Sequence, residues 1–87
     1  MTEAAMVRTT MQTVINRVLT QSGREARAFR DDDTLTGTIG LDSLDLAAVV
    51  VRLEKELGFD PFRSGSHAVH TFGELVALYE NTDRGEA

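Results

Sequence analysis

The chain of 87 residues contains no cysteine and a single proline. Without cysteine, no disulfide can staple the fold and no thiolate can hold a metal, so stability must come from an apolar core. Any thiol chemistry would have to come from an attached group. The absence also fits a reducing compartment. No apolar run is long enough to span a bilayer. Near the N-terminus, Arg8, Gln12, Asn16 and Arg17 interrupt what a signal peptide would need as a continuous apolar region. The expected location is cytoplasmic. Internal repeats and low-complexity segments are missing, and no run alternates in the manner of a strand.

What is present suits one small domain. Hydrophobic residues make up 41%, enough for a compact core and too many for disorder. Residues 1–87 are therefore expected to form a single domain, with its core over about 3–81 and a frayed tail at 82–87. The formal charge of -5 argues against nucleic acid and anionic membrane as partners. It would attract enzymes with basic docking surfaces, although acidity also serves solubility.

The periodicity is helical. Val7, Met11, Val14, Ile15 and Val18 recur at spacings of three and four, which predicts a helix from about Glu3 to Thr20, closed by Ser22-Gly23. A long connection follows, from about Gln21 to Leu41, in which Phe29, Leu35, Ile39 and Leu41 are apolar points that could plug the core. The second helix is predicted from Ser43 to Leu57. Gly58 is placed for a left-handed cap, Phe59 for folding back on Leu53, and Pro61 blocks continuation. A short turn or helix is expected between Ser64 and His70. Thr71-Phe72-Gly73-Glu74 reads as a capping box opening a last helix, whose apolar face is Phe72, Leu75, Val76 and Tyr79. Three helices and one short one make an all-α bundle.

The run Gly40-Leu41-Asp42-Ser43-Leu44-Asp45 carries the chemistry. Asp42 has the side chain of an N-cap, and Asp45 stands three residues on, where a capping-box partner belongs. Ser43 then lies in the first helical turn, beside N–H groups without intrahelical partners, a place that favours a bound phosphate. This motif, with the long loop, the long second helix and the terminal Thr-Phe helix, resembles the acyl carrier protein family along nearly the whole chain. The resemblance implies a small four-helix carrier bundle with a long first loop. It implies 4'-phosphopantetheine, joined to Ser43 from coenzyme A by a transferase, with acyl groups held as thioesters on its thiol. Asp42 would shape the helix mouth and aid transferase recognition. The carrier would be non-catalytic and monomeric, served by the phosphopantetheinyl transferase, an acyl- or aminoacyl-loading enzyme, and condensing or modifying enzymes.

The second helix has two apolar sides. At about 100° per residue, Leu46, Val49, Val50, Leu53 and Leu57 share one sector, the expected core face. Leu44, Ala47, Ala48 and Val51 centre on the opposite side and form the candidate docking stripe. Ala48, Arg52 and Lys55 dilute the acidic surface typical of fatty-acid carriers. This favours a dedicated carrier in polyketide or related natural-product biosynthesis. Gly-x-Asp-Ser-Leu looks more like acyl than peptidyl carriers, so an aminoacyl or peptidyl carrier of a nonribosomal pathway is the alternative.

Other chemistries fit less well. The Gly-x-Ser-x-Gly elbow of serine hydrolases is absent around Ser43. His67 and His70 lack a third neighbouring ligand, so no metal site is expected. An EF-hand loop starting at Asp31 would put Thr36 where glycine is required and Asp42 where glutamate belongs. Asp31, Asp32 and Asp33 instead offset Arg24, Arg27 and Arg30 on a wet surface. A different class of reading is an unmodified helical interaction module, which would need the stripe but not the Ser43 hydroxyl.

Overall fold

The computed structural model describes residues 3–64 and 69–81. They form α1 (Glu3–Gln21), α2 (Ser43–Leu57), a short 3₁₀ helix (Pro61–Ser64) and α3 (Phe72–Asn81). Helix α1 packs against both α2 and α3. Its buried side chains, Val7, Met11, Val14, Ile15, Val18 and Leu19, carry the spacing seen in the sequence. The result is a small all-helical bundle.

Helices α1 and α2 each end for a visible reason. Gly23 takes a left-handed φ of 85° after α1. The N–H of Gly23 donates to the Thr20 carbonyl and that of Arg24 to the Leu19 carbonyl, the paired bonds of a Schellman motif. Gly58, at φ 88°, closes α2 by donating to the Glu54 carbonyl at 2.8 Å. A short 3₁₀ helix that the sequence reading did not place begins at Pro61, whereas most of the element expected between Ser64 and His70 falls on residues 65–68, outside the described residues. Asp60 explains this start: its carboxylate accepts the Phe62 N–H at 2.9 Å, and the proline suits a first helical position. Residues 65–68, with His67, and the expected tail 82–87 lie outside the described residues.

The long connection is held at many points. Phe29, Leu35, Ile39 and Leu41 are all buried, as their spacing suggested. The Asn16 amide clamps the loop to α1, donating to the Arg27 carbonyl and accepting the Arg27 N–H, both at 2.9 Å. Asp33, buried although charged, accepts the Arg30 N–H at 2.8 Å and lies 3.5 Å from the Arg27 guanidinium. Further along, the loop pairs with the start of α3. Thr34 and Thr71 form an antiparallel bridge, Leu35 donates to the His70 carbonyl, and Phe72 and Gly73 donate to the Asp33 and Asp31 carbonyls. A loop of this length would otherwise cost too much ordering entropy to stay fixed.

Two expectations for α2 need correction. Val49 and Leu53 are fully buried, but Val50, placed in the core sector, is half-buried. Ala48, placed on the outer stripe, is half-buried and packs against the core. The core direction is therefore rotated from the centre of the expected sector, through Val49, toward Ala48, since packing in the bundle and not the helix wheel decides which side of α2 is covered. Phe59 packs on Tyr79 with the rings tilted by 51° and centroids 5.6 Å apart, and Phe62 meets the same ring edge-on at 6.4 Å. Tyr79 is 1% exposed, and its hydroxyl finds no partner among the described residues.

Candidate functional site

The site is the start of α2. Asp42 is the N-cap, with extended backbone at φ -93° and ψ -176°. Its carboxylate accepts the Asp45 N–H at 2.8 Å, and the Asp45 carboxylate accepts the Asp42 N–H at 3.1 Å. The capping box read from the sequence is complete. Asp45 also receives the Arg24 guanidinium at 2.7 Å. Arg24 therefore leaves the wet arginine cluster expected of it and joins the site. That hydrogen bond, followed by the one from the Asp42 backbone, holds the Asp45 carboxyl below its ordinary pKa.

Ser43 is exposed as the first residue of α2, and no described residue hydrogen-bonds its hydroxyl. The starts of α2 and α3 differ in one respect that bears on function. At α3 the first three N–H groups are all taken: Phe72 and Gly73 by loop carbonyls, Glu74 by the Thr71 hydroxyl at 3.1 Å. At α2 the Asp45 N–H is capped, while those of Ser43 and Leu44 find no partner among the described residues. Two free donors at the positive end of a helix, beside an exposed hydroxyl, fit a phosphodiester on that hydroxyl.

Beyond Ser43, the residues of the expected stripe separate. Leu44 is 80% exposed and Val51 is 53% exposed, and Ala47 is exposed with them. Ala48 faces inward, as described above. On the flank of the same helix lies an apolar cavity of about 450 Å³. Its walls include Leu46, Val50 and Val51 of α2, Phe62 and Val69, and Leu75 of α3. The sequence reading missed this cavity, since it forms between segments far apart in the chain. Half-burial of Val50 is its local sign. Among the described residues no three histidine or acidic groups gather as a metal site, and no helix is long and apolar enough to cross a membrane.

A family model described as a phosphopantetheine attachment site matches residues 12–78. The match takes in the end of α1, the pinned loop, the Ser43 turn and most of α3, so the chain belongs to this family of phosphopantetheine-binding carriers. Proteins of the family carry 4'-phosphopantetheine covalently, and it is the cofactor of this chain. Comparison with curated proteins and with solved structures gave no match.

Proposed function

We propose that residues 1–87 form a single, non-catalytic carrier domain whose Ser43 bears the phosphopantetheine arm. The observation that carries this reading is the open start of α2, where an exposed hydroxyl stands beside two unpaired N–H groups. Attachment forms a bond from Ser43 Oγ to the phosphorus that bears the pantetheine portion of coenzyme A. The pyrophosphate link breaks, adenosine 3',5'-bisphosphate leaves, and the serine proton passes to a base of the transferase. The attached group supplies a thiol that holds cargo as a thioester. The chain itself holds the serine at the helix mouth, through Asp42, and presents Leu44, Ala47 and Val51 to partners, with Ala48 supporting them from beneath.

Within that reading, the cargo is an acyl group of polyketide or related natural-product assembly, and the setting is cytoplasmic. The cavity beside α2 supports an acyl cargo, since Leu46, Val50, Val51, Phe62, Val69 and Leu75 offer an uncharged wall. An aminoacyl cargo would bring an ammonium group that this wall cannot pair. The partners are the transferase, an acyl-loading enzyme, and condensing or modifying enzymes. Intact mass after treatment with coenzyme A and a broad-specificity transferase tests the site. One phosphopantetheine is expected on the wild type and none on Ser43→Ala. Addition to another residue, or none with several competent transferases, would overturn the assignment. Thermal melts of acyl- and aminoacyl-loaded protein then test the cargo: only the acyl group should raise the midpoint.

A further inference from the structure

We propose that Arg24 is a positioning residue for the modification of Ser43, fixing the end of the long loop against the first turn of α2. The proposal rests on the Ser43 reading above. The Schellman motif that ends α1 sets the backbone of Arg24, whose N–H donates to the Leu19 carbonyl at 2.8 Å. From that fixed point the guanidinium reaches three acceptors. Nε donates to the Ser22 hydroxyl at 2.9 Å, Nη1 to the Gly40 carbonyl, and Nη2 to Asp45 Oδ2 at 2.7 Å. One planar group thus joins the end of α1, the last stretch of the loop and the helix that begins with Ser43.

The three contacts converge on the approach to the serine. Asp45 Oδ2 is the same oxygen that accepts the Asp42 N–H and closes the capping box. The Gly40 carbonyl lies three residues before Ser43, where the backbone turns at a left-handed φ of 88°. A Cβ on Gly40 would sit 3.8 Å from Arg24 Nη1, an ordinary contact, so the glycine serves the turn and not the space. Side-chain exposure is 35% for Arg24 and 16% for Asp45, so the pair is partly shielded from solvent. A lysine carries the charge as a single point and cannot hold divergent acceptors in a planar fork.

Removing the fork lets the helix mouth sample arrangements in which Ser43 is wrongly presented. A transferase that accepts only the ordered arrangement then sees a diluted carrier, and its apparent affinity falls by the competent fraction. The expected effect is on KM for the carrier, with kcat retained. General loss of stability would not move KM at a temperature where the variant is folded.

The test is steady-state transfer from coenzyme A to the apo protein by a broad-specificity transferase, at a temperature where circular dichroism shows each variant folded. Wild type must first be modified at Ser43. Its failure would remove the attachment reading itself. Given that, Arg24→Met should raise KM about fivefold or more at unchanged kcat. Arg24→Lys should recover part of the loss. The double variant Arg24→Met/Asp45→Asn should be no worse than the poorer single variant, since both act on one network. Wild-type KM in Arg24→Met, or penalties that multiply in the double variant, would overturn the proposal. If Arg24→Met is not folded at the assay temperature, Arg24→Lys decides: a KM equal to wild type overturns it equally.

Discussion

A methyl group on Gly73 would lie 2.8 Å from Asp31 Cβ, 3.0 Å from its carbonyl oxygen and 3.2 Å from its Cα. Two of those three atoms are backbone, fixed by the bond from the Gly73 N–H to the Asp31 carbonyl at 2.9 Å. Alanine would bring about 1 kcal/mol of helix propensity. Overpacking against a held backbone costs typically about 1–3 kcal/mol and should outweigh it. Gly73→Ala is therefore expected to lower the denaturation midpoint, and an unchanged midpoint would show that the loop yields freely. At the other capping box, Asp42→Ala should cost about 1 kcal/mol by chemical denaturation. Its effect on the rate of Ser43 modification should be larger if the transferase also reads Asp42. Both boxes were legible as Asp-x-x-Asp and Thr-x-x-Glu, because a cap is a matter of four neighbouring residues. The partner of Arg24 was not legible, since Asp45 lies 21 positions away.

Helix α2 shows how far a periodic pattern can be trusted. Its bounds and caps follow from Asp42, Asp45 and Gly58, and the buried pair Val49 and Leu53 lies within the wider core sector that spacing predicts. The outer stripe follows only in part: Leu44, Ala47 and Val51 are outside, but Ala48 packs against the core. A sequence wheel gives angles within one helix, and where the neighbouring helix lies against it is a property of the assembled bundle. Leu53→Glu should unfold the domain, as an unpaired carboxylate in the core costs several kcal/mol, comparable with the total stability of so small a fold. Val51→Glu should stay within about 0.5 kcal/mol of wild type while slowing transfer to partner enzymes. Val50→Glu, at a half-buried cavity wall, should fall between them. Melts and a loading assay on the three variants give the order. If Val51→Glu unfolds as readily as Leu53→Glu, the outer face is core and cannot dock partners. The 3₁₀ helix at Pro61–Ser64 was missed because Pro61 was read only as a stop for α2, when Asp60-Pro61 is also a start.

In the whole molecule, the acid side of the stability curve is set by the same caps. Asp45 is held below its ordinary pKa by Arg24 and the Asp42 N–H, and Glu74 by the His70 and Thr71 N–H groups. A carboxylate with a lowered folded-state pKa stabilises the fold fully above its unfolded value, and that contribution is lost as pH falls through the folded value. Stability should therefore drop below about pH 4, and Asp45→Asn and Glu74→Gln should each flatten that fall. Equal acid slopes in wild type and variants would count against the linkage. The loop, though long, was readable from its apolar plugs; the hydrogen bonds that tie it to Asn16 and to α3 were not, because they use backbone groups that every residue possesses. The silent hydroxyl of Tyr79 has an optical consequence. This chain has one tyrosine and no tryptophan, so its near-ultraviolet spectrum is dominated by a single enclosed ring. Burial, then the nearby charges of Asp60 and Glu54, pushes that phenol well above its usual pKa. The unfolded chain ionises first, so stability must decline as pH rises past about 10. In an alkaline titration the tyrosinate band should therefore emerge together with the loss of helical dichroism, turning one absorbance trace into a record of global opening.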